Sequence, residues 1–339
     1  MSIYPSLSPA TVVRLLILLS ILMIAGLIAA CVPTETVKNH AAAGVETQVD
    51  LTNQDSTYIG EKACLECHKN AGDHASMGVH VSAFRSNPQN ARQREVCESC
   101  HGPGSKHAQE TTNKALIIGY TKGWGTPVPK QNAVCLTCHQ GGQRVNWARS
   151  PHDVNEVACS DCHNPMMQNS VTGNLQRVSI NETCYTCHAQ QRAEFLRRSH
   201  MPLPEGKMSC NDCHNPHGSP TRPMLKTDTV NETCYECHAE KRGPFLWEHA
   251  PVRENCVNCH QAHGSNHDKM LVAPRPMLCQ QCHDAAVGHP GIFYNNSQTA
   301  ESALQVGGVQ SQRVIGRACQ NCHTQIHGSN HPSGARFQR

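Results

Sequence analysis

The chain has 339 residues, of which 16% are charged and only 14 are Phe, Tyr or Trp, yet it carries 21 Cys and 23 His at a formal net charge of +3. So few large aromatics argue against an ordinary globular core, and so many cysteines argue against a reducing cytosol. The near-neutral balance, with no long Lys/Arg run, excludes a nucleic-acid partner.

Residues 1–30 read as an export signal. Arg14 precedes an apolar run over 15–30, which is short for a spanning helix of ~20 residues. The run ends Ile28-Ala29-Ala30-Cys31 and resembles a bacterial lipoprotein signal, in which cleavage falls before the cysteine and Cys31 becomes lipidated. The alternative is an uncleaved anchor with an incidental cysteine. Cys31 is the one cysteine left over from the motifs below. Acyl chains on it would anchor the protein at a membrane surface, each buried methylene adding ~0.8 kcal/mol. Val32, where an Asp would retain a lipoprotein at the inner membrane, implies by the same resemblance the periplasmic side of a Gram-negative outer membrane. Residues 31–57 then form the lipidated N-terminus and a flexible, small and polar tether.

From residue 58 the chain is organised by C-x-x-C-H, which occurs ten times. The cysteines are Cys64 and Cys67, Cys97 and Cys100, Cys135 and Cys138, Cys159 and Cys162, Cys184 and Cys187, Cys210 and Cys213, Cys234 and Cys237, Cys256 and Cys259, Cys279 and Cys282, and Cys319 and Cys322. The motif histidines are His68, His101, His139, His163, His188, His214, His238, His260, His283 and His323. Two thiols at this spacing reach the two vinyl groups of one haem, and the next residue places an imidazole under the iron. Zinc ribbons use paired C-x-x-C without the following His, and ten such His in ten motifs exclude that reading. Ten covalently bound haem c groups are expected.

Removing the motif histidines leaves thirteen. Residues 181–225 and 231–271 repeat one another, each with a motif, then a His (His200, His249), then C-x-x-C-H-x-x-H-G-S (His217, His263). Five two-haem units tile the chain, the looser ones being 64–107, 135–166 and 279–327. His40 lies in the tether. His267 and His331 fall where the sister unit has Thr221, so they are spare. Ten remain as distal ligands, one per iron: His74, His80, His107, His152, His200, His217, His249, His263, His289 and His327. A histidine three residues after a motif histidine sits too close to straddle the same ring, so His217 and His263 are expected to serve neighbouring haems. One unit departs: Met166 occupies the place of His217 and His263. Either His74 completes the set, or Met166 ligates and raises that haem's potential, or Met166 simply packs against a haem.

The expected fold is mainly irregular with short helices carrying the motifs, with Asn181 and Asn231 as N-caps and little or no sheet. Haem faces would replace the core over 58–332, making an elongated file, with 333–339 as a tail. The apoprotein should be largely unfolded.

These ten motifs, the doubled units with Asn-Pro-His-Gly-Ser (215–219) and Gln-Ala-His-Gly-Ser (261–265), and the stretch 231–271 resemble the periplasmic decahaem cytochromes of porin–cytochrome complexes, the Mtr type of metal-reducing bacteria, and their relatives serving extracellular dimethyl sulfoxide respiration. The resemblance implies an electron conduit, not an enzyme. Its implied partners are an outer-membrane β-barrel porin, periplasmic donor cytochromes, and an extracellular cytochrome or reductase. A lipid anchor at Cys31 departs from members with an ordinary signal. The competing reading is a multihaem reductase of nitrite, hydroxylamine or a sulfur oxyanion. It needs an open iron face, often marked by an altered motif such as C-x-x-C-K, and none is present. A terminal metal reductase with flanking β-domains has no room here.

Overall fold

Among the described residues no helix exceeds nine residues, the longest being Val128–Leu136. Isolated helices shorter than ~12 residues are marginal in water, so these persist only through what they pack on. The computed structural model describes residues 55–76, 78–283, 305–306, 309–310 and 319–337. The signal, Cys31, His40 and His289 lie outside the described residues, as does the side chain of His74. Among the described residues the only strand pairing beyond isolated bridges is Gln305–Val306 with Val309–Gln310. No helix among them is long and apolar enough to cross a membrane.

The repeat unit is built from hydrogen bonds. Helix Ile180–Tyr185 starts at Ser179, whose Oγ accepts from Glu182 N at 3.2 Å. Helix Val230–Tyr235 starts at Thr229, which accepts from Glu232 N at 3.1 Å. The caps are therefore Ser179 and Thr229, and the expectation of Asn181 and Asn231 is corrected. Both asparagines sit inside the first helical turn, where their side chains are free to reach across the unit. Asn181 Oδ1 accepts from Cys210 N at 2.9 Å, and Asn231 Oδ1 from Cys256 N at 2.7 Å. Asn132 does the same for Cys159 N at 2.8 Å. Each asparagine also donates to a carbonyl just before the second motif: Val157, Met208, or Val252 and Arg253. One side chain thus ties the first motif of a unit to the second.

After its second motif each central unit turns back on itself. Single bridges join His163 to Leu175, His214 to Leu225 and His260 to Leu271, and all three leucines are buried.

Neighbouring units are clasped by backbone. Ser199 and Ser265 exchange N–H···O bonds of 3.0 and 2.7 Å, and Trp247 and Ser329 exchange two of 3.0 Å. Asn215 Nδ2 donates to Gln143 O at 2.9 Å. In each clasp a segment between a unit's first motif and its central His meets the His-Gly-Ser loop of the next unit. The approach is close enough that a Cβ on Gly264 would lie 2.2 Å from Glu194 O.

Apolar burial is sparse and scattered, running from Val81 through Leu175 and Phe195 to Ala273. The one cluster of buried apolar side chains among the described residues is Val81 with Val96, flanked by Phe84, Cys97 and Met166. Packing also extends beyond the expected boundaries. At the start, Ser56 and Thr57 bond to Pro103 and Ser105. At the end, Phe337 O accepts from Gln325 N at 3.0 Å, and the Phe337 ring lies 5.4 Å from that of His249.

Candidate haem-binding sites

The cysteines come together unit by unit. The first thiol of one motif meets the first thiol of the other in all five units: Cys64 with Cys97, Cys135 with Cys159, Cys184 with Cys210, Cys234 with Cys256, and Cys279 with Cys319. Between units the second motif lies within electrostatic reach of the first motif of the next: Cys100 of Cys135, Cys162 of Cys184, Cys213 of Cys237 and Cys259 of Cys282. The motifs therefore follow one another in space in chain order. Burial, reinforced by neighbouring thiols, pushes Cys100 and Cys162 up to about 11.

The histidines meet in twos. Among the described residues, no three His, Cys, Asp or Glu side chains converge as ligands for a bare ion. Instead, imidazoles face one another across a gap. Ring centroids are 6.3 Å apart for His68 and His107, 5.8 Å for His80 and His139, and 6.2 Å for His152 and His188. They are 5.9 Å apart for His163 and His217, 6.2 Å for His214 and His263, 6.1 Å for His249 and His283, and 6.2 Å for His260 and His327. Two metal–imidazole bonds of about 2 Å each, plus half a ring at either end, need about 6 Å. Direct ring stacking could be closer. The gap is the width of one iron, so the residues fit a haem held between two imidazoles.

Each of these seven pairs joins one motif histidine to one histidine nominated as distal. His217 lies against His163 and not against His214, three residues away. His101 and His238 have no opposed imidazole among the described side chains. His200 points elsewhere, with Nδ1 2.6 Å from Arg197 O and Nε2 3.1 Å from Glu205 Oε1.

The surroundings suit ligand histidines. The second-motif rings each turn Nδ1 to a backbone carbonyl: His101 to Ile118 at 2.7 Å, His163 to Gly173 at 2.6 Å, His214 to Pro223 at 2.9 Å, His260 to Lys269 at 2.8 Å and His323 to Arg336 at 2.5 Å. A carbonyl on Nδ1 fixes the tautomer and leaves Nε2 for a metal. Burial holds His80, His107, His249 and His327 below the ordinary imidazole value, with nearby charges adding to the effect. Burial, then the His163 and Arg144 charges, brings His217 down to about 4. The neutral ring is the form that ligates.

Two structural roles were not anticipated from the sequence. The cross-bracing asparagines leave a visible trace, Asn three residues before the first Cys in Asn132, Asn181 and Asn231, which reads as a cap until the fold is known. Glu98, 3% exposed, accepts from Ile59, Gly60 and Gly104 N–H at 3.1, 2.8 and 2.7 Å and substitutes for that brace in the first unit. Nothing in its local sequence marks it. Met166 packs in the cluster beside Cys97. His267 and His331 sit in the clasp loops, their N–H groups bonded to Ser265 and Ser329.

Over 299 residues the chain is 42% identical to the multihaem cytochrome MtrA of Shewanella baltica (strain OS185), covering 87% of this chain and 86% of that one. The chain belongs to the MtrA family of multihaem cytochromes. Family models agree at the level of the motifs: a doubled CXXCH motif matches residues 200–243 and 249–288, and a cytochrome c-type protein NrfB-like model matches 97–180. An undecahaem cytochrome from the S-layer of Carboxydothermus ferrireducens aligns at 19% identity over 72% of this chain and 32% of that one, with a TM-score of 0.16. An overlap that low carries no structural argument. As an MtrA-family protein, the chain binds haem c covalently at C-x-x-C-H and carries electrons.

Proposed function

We propose that this protein is a decahaem electron conduit in which every iron is closed by two histidines. The seven opposed imidazole pairs support it, and the six that join different units follow one two-part rule. The central His of a unit faces the first motif His of the next unit, as His80 faces His139, His152 faces His188, and His249 faces His283. The His-Gly-Ser histidine faces the second motif His of the unit before, as His217 faces His163, His263 faces His214, and His327 faces His260. The rule assigns His200 to His238. At the N-terminal end no unit precedes, and His107 turns to His68 within its own unit. The rule puts Met166 at His101, where the ligand must come from elsewhere, and His74 is the histidine of that unit left to supply it. By the same elimination His289 serves His323.

Haem c supplies reversible one-electron Fe(III)/Fe(II) exchange when bound. The chain's residues attach it, close both faces and hold successive motifs side by side. With no open face there is no place for nitrite, hydroxylamine or a sulfur oxyanion to bind. Low-temperature EPR and near-infrared magnetic circular dichroism of the oxidised protein test this. Ten low-spin bis-His irons are expected. One stoichiometric high-spin iron would replace the conduit with the reductase reading, and a Met/His signal would give Met166 the place here assigned to His74.

Membership of the MtrA family supports the cellular reading. Residues 1–30 are removed, lipidated Cys31 ties a tether reaching to about residue 57 to the periplasmic leaflet of the outer membrane, and the decahaem domain docks into a β-barrel porin. It links periplasmic donor cytochromes to an external cytochrome or reductase for metal or dimethyl sulfoxide respiration. Pull-down from detergent-solubilised outer membranes should recover the barrel, and recovery of the cytochrome alone would count against it. Cys31→Ser should move the protein from the membrane to the soluble periplasmic fraction.

A further inference from the structure

One basic residue recurs after the first motif of each central unit: Arg144, Arg192 and Arg242. Two are satisfied by their own unit. Arg192 pairs with Glu182 at 3.9 Å and lies over the Tyr185 ring at 5.7 Å. Arg242 pairs with Glu232 and lies over Tyr235 at 5.6 Å. In the unit of Arg144 the corresponding positions are Ala133 and Leu136, which offer neither charge nor ring. Arg144 Nε is buried without a hydrogen-bond partner.

The same turn holds a second orphan. Trp147 is 8% exposed, and its Nε1 is also buried without a partner. Its ring lies 6.5 Å from that of His217. The sister units place Phe195 beside His263, and Phe245 against Gly328, next to His327. A phenylalanine braces the loop and brings no donor. In this unit alone of the three, the brace carries an N–H and the neighbouring cation has lost its carboxylate. The turn is fixed on the loop it faces, since Asn215 bonds Gln143 O and His152 bonds Pro216 O at 2.7 Å.

A buried guanidinium Nε–H and a buried indole N–H with nothing to donate to are costly unless an acceptor arrives. The acceptor that enters this site with its cofactor is a haem carboxylate, and the fork of an Arg suits it. We propose that Arg144 and Trp147 together bind a carboxylate of the haem held between His163 and His217. This rests on the reading of those histidines as an axial pair. The contact makes that haem easier to reduce than the haems beside Arg192 and Arg242, because a fixed positive charge beside the ring disfavours the ferric state.

The test uses full-length holoprotein, with mass spectrometry counting attached haems and EPR counting low-spin irons before any potential is measured. Loss of the haem or of its low-spin signal in wild type would defeat the axial-pair reading instead. In spectroelectrochemical titration, Arg144→Gln should move about one tenth of the haem absorbance to lower potential, with a tenfold or greater change in its reduction equilibrium, which is 59 mV for a one-electron couple. Arg144→Lys should retain most of the wild-type value. Trp147→Phe should shift the same fraction less, in the same direction, and alter the carboxylate-bending bands in resonance Raman spectra. Arg192→Gln should titrate as wild type. The proposal is overturned if Arg144→Gln superimposes on wild type, or if Arg192→Gln shifts the curve equally. Should Arg144→Gln fail to mature, unchanged Raman bands in Trp147→Phe would overturn it.

Discussion

At the residue scale, the repeated asparagine does more than its position in a helix suggests. Asn231 is buried and makes three hydrogen bonds across its unit, to Val252 O, Arg253 O and Cys256 N. Asn231→Ala leaves a buried N–H and two carbonyls without that partner, which costs about 1–3 kcal/mol. We expect a lower thermal midpoint with all haems still attached, whereas Asn231→Asp, which keeps the acceptor and loses the donor, should fall between. Differential scanning calorimetry of the holoprotein reads this. At the iron, His217→Ala should convert one low-spin signal in ten to high spin without disturbing the haem at Cys210–Cys213, because His217 faces His163. Loss of the signal from His214 instead would reverse the pairing. The covalent sites were legible in the sequence because C-x-x-C-H is local chemistry. The direction of Asn231 was not, since a cap and a cross-brace look identical until the second motif is placed against the first.

At the scale of elements, short helices and single bridges are too small to stand alone, and the clasps between units hold them. Gly264 is the tightest point: at φ +141 it lies where an added Cβ would meet Glu194 O at 2.2 Å. Gly264→Ala combines a backbone conformation that L-residues avoid with that clash, so it should destabilise by more than the ~1 kcal/mol of an ordinary glycine substitution. Limited proteolysis should then cut between the units of Ser199 and Ser265, while the wild-type clasp resists. The repeat showed that 181–225 and 231–271 are units, and periodic residues such as Gly218 and Gly264 marked the loop. It did not show that the loop docks on the preceding unit, because that contact runs through backbone groups that every residue possesses. Packing at the end of the chain was illegible for a similar reason. Residues past 332 carry no motif, yet Phe337 reaches His249 and Arg336 O caps His323.

At the scale of the molecule, twelve apolar side chains are buried among the described residues, and they are strewn along the chain without forming a continuous core. A protein of this length cannot offset its chain entropy with so little. The cofactor's faces are the apolar surface available to make up the difference, and folding is then expected to be one event with haem attachment. Expression without haem ligation should give a chain with little helical circular dichroism and no cooperative melt. A folded apoprotein would require a core that the described residues do not contain.

The exchange of histidines between units has a consequence for how such a chain lengthens. Under the proposed pairing, the units 181–225 and 231–271 each lend one ring forward and one backward, and borrow one from each side. A whole unit inserted at a junction on either side of these two would therefore receive what it needs from its new neighbours and return the same to them, so no iron would be left open on either side of the splice. Half a unit breaks that symmetry and strands a ligand. Growth by pairs of haems is the increment this architecture tolerates, and a spliced second copy of residues 181–230 should mature with twelve closed irons, countable by mass and by EPR.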